Sequence, residues 1–99
     1  MKVLLLGGNG FLGPHVVKEL EGAYDLRITD IVEIDSEHET MRVDVSNLAQ
    51  VREAARGTDV IVNCSVLRPD RKVAFDVNTT GTYNAVRVAA EMGHTRFIN

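Results

Sequence analysis

Apolar residues along this chain recur in two rhythms that take turns. Val3-Leu4-Leu5-Leu6 and Val60-Ile61-Val62 are short unbroken apolar runs, the pattern of strands covered on both faces. Between them Leu12, Val16 and Leu20 recur at i, i+4 and i+8 while Lys18, Glu19 and Glu21 take the other positions. That spacing predicts an amphipathic helix with a buried Leu12/Val16/Leu20 stripe, stopped by Gly22. Leu26 to Thr29, ending in Asp30, predicts a second strand, and Met41 to Val43 a short third one. The acidic, aperiodic stretch from Glu33 to Glu39 reads as a solvated loop without evident chemistry. Ser46 or Asn47 can cap the next helix, which places Leu48, Val51 and Ala55 on one face and ends at Gly57. Asp59 to Asn63 predicts a fourth strand. A last helix opens between Asp70 and Phe75, runs to about Met92 and stops at Gly93, and His94 to Asn99 starts a fifth strand.

Strands alternating with helices define an α/β domain with a parallel sheet. Right-handed crossovers arrange five strands in the order 3-2-1-4-5 with helices on both faces. The crevice of such a sheet opens at the carboxyl ends of strands 1 and 4, where the order reverses. The first strand runs into Gly7-Gly8-Asn9-Gly10-Phe11-Leu12-Gly13 at that crevice and then straight into the first helix. These glycines satisfy both Gly-x-x-Gly-x-x-Gly and the dinucleotide fingerprint Gly-x-Gly-x-x-Gly, so the fold is Rossmann-like. One glycine permits a sharp turn, another admits a phosphate close to the backbone, and Gly13 lets the helix settle on the strand. The helix amino end then offers N–H groups and a positive dipole to a pyrophosphate. Asp30, twenty positions after Gly10, stands where a carboxylate accepts hydrogen bonds from both ribose hydroxyls. It repels a 2′-phosphate, and the residues that follow, Ile31 and Val32, supply no cation. The expected cofactor is therefore NAD rather than NADP.

Composition narrows the alternatives. The chain has 99 residues, is 44% hydrophobic and carries a formal charge of -3, which describes one small globular domain with no electrostatic footprint for nucleic acid or an anionic membrane. A single cysteine, Cys64, forms no internal disulfide, and His15, His38 and His94 lack metal-ligand spacing. With no signal peptide and no apolar run long enough to span a bilayer, a cytoplasmic location is expected. Asn63-Cys64-Ser65 and Asn78-Thr79-Thr80 match the glycosylation pattern by chance. No Gly-Lys dipeptide exists, which excludes a P-loop. An S-adenosylmethionine enzyme would carry an acid at the end of strand one, where this chain has Leu5-Leu6.

In order along its whole length the chain resembles the extended short-chain dehydrogenase/reductases, in their NAD-dependent epimerase/dehydratase branch. The matches are Gly7 to His15 for the opening, Asp44-Val45 after strand three, Val60 to Ser65 for strand four, Val77-Asn78-Thr79-Thr80-Gly81-Thr82-Tyr83-Asn84 for the helix motif, and Arg96-Phe97-Ile98 for strand five. The resemblance implies cofactor contacts from the glycine loop, including Asn9, Phe11 and Leu12, and from Asp30 and Ile31. It implies that Asp44 binds the adenine amino group beside the Val45 backbone, that small Cys64 and Ser65 line the pyrophosphate and ribose, and that Asn78 holds the active-site arrangement. Cys64 has no basic partner spaced to activate it and reads as packing. Gly81, costly inside a helix, implies close packing.

Family chemistry also needs a Ser or Thr beyond strand five and a Tyr-x-x-x-Lys on the next helix. The chain stops at Asn99 before either, so no catalytic residue is assigned. Tyr83-x-x-x-Arg87 is an imitation on the wrong helix, read as surface. The expectation is the NAD-binding portion of an epimerase, dehydratase or reductase acting on a sugar nucleotide or similar small molecule. The alternative is a non-catalytic dinucleotide-binding module. The helix from Val73 to Met92 resembles one used at family dimer interfaces, which makes a homo-oligomer the expected state.

Overall fold

The computed structural model describes residues 1–10, 12–64, 80–94 and 96–98. The elements follow the predicted order: β1 (Lys2–Leu6), α1 (Gly13–Leu20), β2 (Asp25–Asp30), β3 (Glu39–Arg42), α2 (Leu48–Ala55), β4 (Val60–Asn63), α3 (Thr82–Glu91) and β5 (Arg96–Ile98). The five strands form one sheet in the order β3-β2-β1-β4-β5. Every neighbouring pair is parallel, and β1 sits at the centre with Leu5 opposite both Ile28 and Val62.

Period-two alternation in β1 divides the core into two layers. Leu4 and Leu6 face one side with Ile61, where Val51, Ala54 and Ala55 of α2 and Ala85, Val88 and Ala89 of α3 cover them. Val3 and Leu5 face the other side with Leu26, Ile28, Val60, Val62 and Cys64, under Val16, Val17 and Leu20 of α1. The unbroken apolar runs thus have the physical cause expected of them: both faces of the central strands are covered. Each fully buried leucine is worth roughly 2–5 kcal/mol against truncation to alanine. The loop after β2 is not wholly solvated, since Ile34 packs under the second layer.

Three further details depart from the sequence-based expectations. Leu12 is outside the buried stripe of α1, being half exposed just before the helix, where the chain has run past the end of the sheet. Gly22 does not stop α1 in a left-handed turn, because Gly7, Gly57 and Gly93 are the positive-φ glycines of the described residues. The helix ends through Glu21, whose N–H donates to Val17 O at 2.9 Å. Strand β3 begins at Glu39, two residues early, because Glu39 is drawn in by two cations: Lys2 Nζ at 2.7 Å and Arg27 Nε at 3.1 Å. The Arg27 contact lacks hydrogen-bond alignment and is Coulombic, while the same guanidinium's Nη1 donates to Ala54 O and Arg56 O at the end of α2.

The predicted stops of the other helices are present. Gly57 lies just beyond α2 with φ 75°. Gly93 closes α3, with His94 N–H donating to Ala89 O and Gly93 N–H to Ala90 O, the paired bonds of a Schellman motif. Of the two cap candidates for α2, Asn47 serves, its side chain accepting from Gln50 N. The predicted start of the last helix lies outside the described residues.

Candidate functional site

The glycine loop stands at the carboxyl end of β1, between the ends of β2 and β4. Gly7 takes φ 77°, a left-handed turn that side chains disfavour. Gly8 then lies against β2, its N–H donating to Thr29 O at 2.8 Å. A Cβ on Gly8 would collide with Ile28 Cγ2, and one on Gly13 would collide with the backbone of Gly8. Gly13 therefore seats the helix on the glycine turn itself rather than on the body of the strand. Gly10 N–H closes the turn onto Gly7 O at 3.1 Å. No side chain caps the amino end of α1, and its first turn carries no acid, in contrast with the Asn47 cap of α2. Its positive dipole end therefore meets neither a capping side chain nor an acid of its own first turn.

Asp30 is aimed at this loop. Its Oδ2 accepts the Asn9 N–H at 3.0 Å, and its Oδ1 accepts the Ile31 N–H at 2.7 Å. Each carboxylate oxygen thus uses one lone pair on backbone and keeps another for a ligand. Across the crevice Cys64 N–H donates to Leu6 O at 2.7 Å. The Cys64 thiol is buried, and burial pushes its pKa up, so it stays protonated and packs rather than reacts.

Beyond Asp30 a pocket of about 290 Å³ is lined by Ile31, Arg42, Val43, Asp44 and Gln50. Asp44 Oδ1 accepts both the N–H and the hydroxyl of Ser46, at 3.0 and 2.7 Å, while Oδ2 has no hydrogen-bond donor among the described residues. The side chain of Gln50 accepts from Asp44 N at 2.7 Å. From α3 the buried Asn84 donates through Nδ2 to Val45 O at 3.1 Å, fixing the backbone beside the pocket. Asp44 is not the cap of α2, a job that Asn47 performs.

The structure thus gathers Gly7, Gly8, Asn9, Gly10, Gly13 and Asp30 at one mouth, with Ile31, Asp44 and Val45 beside it and Cys64 on its far side. Leu12 stands exposed at the entry of α1. Phe11, Ser65 and Asn78 lie outside the described residues. Gly81 is buried at the start of α3, as its cost in a helix implied. Tyr83 is exposed, and Arg87 pairs along the same helix with Glu91, Nε to Oε1 at 3.0 Å, so the pair is surface. Sequence reasoning missed Arg42 and Gln50 as pocket residues and Asn84 as the side chain that fixes the backbone beside the pocket. Asn84, a polar residue inside an otherwise apolar helix face, was the one with a readable signal.

A glycine turn at the switch point of a 3-2-1-4-5 parallel sheet, with an acid at the end of β2, defines a Rossmann-like dinucleotide fold. Residues 4–99 match the model of the 3-beta hydroxysteroid dehydrogenase/isomerase family, and the chain belongs to that family. The decarboxylating sterol-4-alpha-carboxylate 3-dehydrogenase of Mus musculus is 27% identical over 103 residues, covering 98% of this chain and 28% of the mouse protein. Uronate dehydrogenase from Agrobacterium tumefaciens superposes with TM-score 0.87 at 24% identity, over 97% of this chain and 38% of that one. UDP-glucose 4-epimerase from Thermus thermophilus, in complex with NAD, gives TM-score 0.84 at 22% identity over 98% and 36% of the two chains. The chain therefore spans about a third of the length of these relatives. Among the described residues no helix is long and apolar enough to cross a membrane.

Proposed function

We propose that this chain binds a dinucleotide, NAD in preference to NADP, as the cofactor-binding portion of an oxidoreductase or epimerase. The observation that carries the reading is the hydrogen bond from Asn9 N–H to Asp30 Oδ2, which joins the phosphate-binding turn to the ribose-binding acid. In this reading the pyrophosphate lies on Gly8, Gly10 and the uncapped end of α1, and the adenosine ribose donates to Asp30. Adenine enters the pocket beside Ile31, with its amino group on the open Oδ2 of Asp44. NAD supplies a hydride acceptor when bound. The residues of this chain orient it and hold the adenosine end, and we assign none of them to proton transfer. The substrate class of the whole protein in this proposal is a hydroxyl-bearing small molecule such as a sugar nucleotide, and its setting is the cytoplasm.

Calorimetric titration with NAD, NADP and S-adenosylmethionine tests the ligand. NAD is expected to bind most tightly, and Asp30→Ala to weaken it by about tenfold or more, the scale of one charge-assisted hydrogen bond. Unchanged NAD affinity in Asp30→Ala, or tighter binding of S-adenosylmethionine, contradicts the assignment. We also propose self-association through the outer face of α3, where Tyr83 is 61% and Val86 46% exposed. Sedimentation at rising concentration is expected to show a dimer that Val86→Glu disperses, and a monomer throughout refutes that interface.

A further inference from the structure

The residues immediately after Asp30 carry no cation, but strand pairing supplies one from elsewhere. Arg42 lies directly opposite Asp30 in the β2–β3 register, and paired residues of neighbouring strands project to the same face of a sheet. The two side chains bracket residue 31. Asp30 Oδ1 accepts its N–H at 2.7 Å, while Arg42 Nε and Nη2 both donate to its carbonyl oxygen at 3.3 Å. Arg42 also lines the pocket. Arg27, Arg52, Arg56 and Arg87 each stand within 4 Å of a carboxylate. Arg42, an exposed residue, has no such partner among the described residues, and its Nη1 makes no hydrogen bond to them. A planar guanidinium with free donors suits a phosphate, which it can engage through two parallel hydrogen bonds.

We propose that Arg42 sets the cofactor selectivity of the site, accepting the 2′-phosphate of NADP that Asp30 opposes, so that the chain binds both dinucleotides with NAD favoured. The inference rests on the nucleotide reading above. Asp30 presents negative charge to the 2′ position from the end of β2, and Arg42 presents positive charge to it from the end of β3. The balance of the two, rather than the acid alone, fixes the ratio of affinities.

The test is the ratio of the NADP to the NAD dissociation constant, measured by calorimetry on the wild type and three variants at constant ionic strength. A ratio cancels any loss of folded protein, since both ligands meet the same population. Arg42→Ala is expected to raise the ratio about tenfold, the scale of a charge-assisted contact at a partly exposed site. Arg42→Lys should recover part of the loss, and Asp30→Asn should lower the ratio below the wild-type value. An Arg42→Ala ratio equal to that of the wild type overturns the proposal, whether both affinities hold or both fall by the same factor. The second outcome would make Arg42 a wall of the base pocket. Failure of the wild type to bind NAD at all overturns the nucleotide reading and this inference with it, and is distinguished by the absence of heat in the first titration.

Discussion

Gly8, Gly13 and Gly22 are chemically identical and physically unlike. A methyl group on Gly8 meets the buried Ile28 side chain, one on Gly13 meets the Gly8 backbone, and one on Gly22 meets nothing within 4 Å. Gly8→Ala is therefore expected to cost about 1–3 kcal/mol by overpacking. Gly13→Ala should cost at least as much and remove dinucleotide binding, because backbone cannot yield as a side chain does. Gly22→Ala should leave stability unchanged or raise it by about 0.4–1 kcal/mol through the unfolded chain. Denaturant midpoints of the three proteins check the order, and equal costs at Gly13 and Gly22 would refute the packing account. Asp30 was legible at this scale because its cue is local, an acid a fixed distance from the glycines at the end of an apolar run. Arg42 and Gln50 were not. Their place at the pocket depends on how β3 registers against β2 and on a side-chain amide folding back to Asp44, and neither is written in sequence separation.

Strand and helix identities were readable because each follows from a short-range cause: apolar runs for strands covered on both faces, i, i+4 spacing for α1, Asn47 before α2, and Gly57 and Gly93 after α2 and α3. Boundaries that depend on long-range charge were not. Glu39 joins β3 only because Lys2 and Arg27 meet it from β1 and β2. The same contacts, the Lys2 hydrogen bond foremost, hold the Glu39 carboxyl below its ordinary value of 4.5. In α3 the Glu91 carboxyl is likewise lowered, first by Arg52 of α2 and then by Arg87. At the sheet's other end the burial of His94 lowers its pKa from 6.5, with Asp59 opposing. A carboxylate whose pKa is depressed by folding stabilises the fold above its unfolded value and loses that contribution as pH falls through the folded one. A histidine kept neutral by burial costs stability once pH drops below its unfolded value, since the unfolded chain takes the proton first. Stability should therefore decline in two stages on acidification, below about 6.5 and again below about 4.5. Urea midpoints against pH read this out. His94→Gln is expected to flatten the first stage and Glu39→Gln to make the second shallower, Glu91 still contributing to it, and a wild-type midpoint constant from pH 7 to 4 would contradict both assignments.

At the scale of the whole molecule, the order β3-β2-β1-β4-β5 makes the other parts work together. Reversal of the winding at β1 leaves the glycine turn open on one side to Asp30 and on the other to Cys64, while α1 and the α2/α3 pair cover opposite faces and hold β1 rigid. Asn84 of α3 ties the helical layer to the backbone beside the pocket through Val45 O, so one residue links the packing of α3 to the shape of the pocket wall. The direct test of this arrangement is an NAD titration of the isotope-labelled chain followed by backbone amide chemical shifts. The largest shifts are expected at Gly8, Asn9 and Gly10, with Ile31 and Val45 next and the sheet's opposite end around Lys2, Asp25 and Asp59 unmoved. Shifts centred on that opposite end, or spread evenly with none at the glycine turn, would contradict the account.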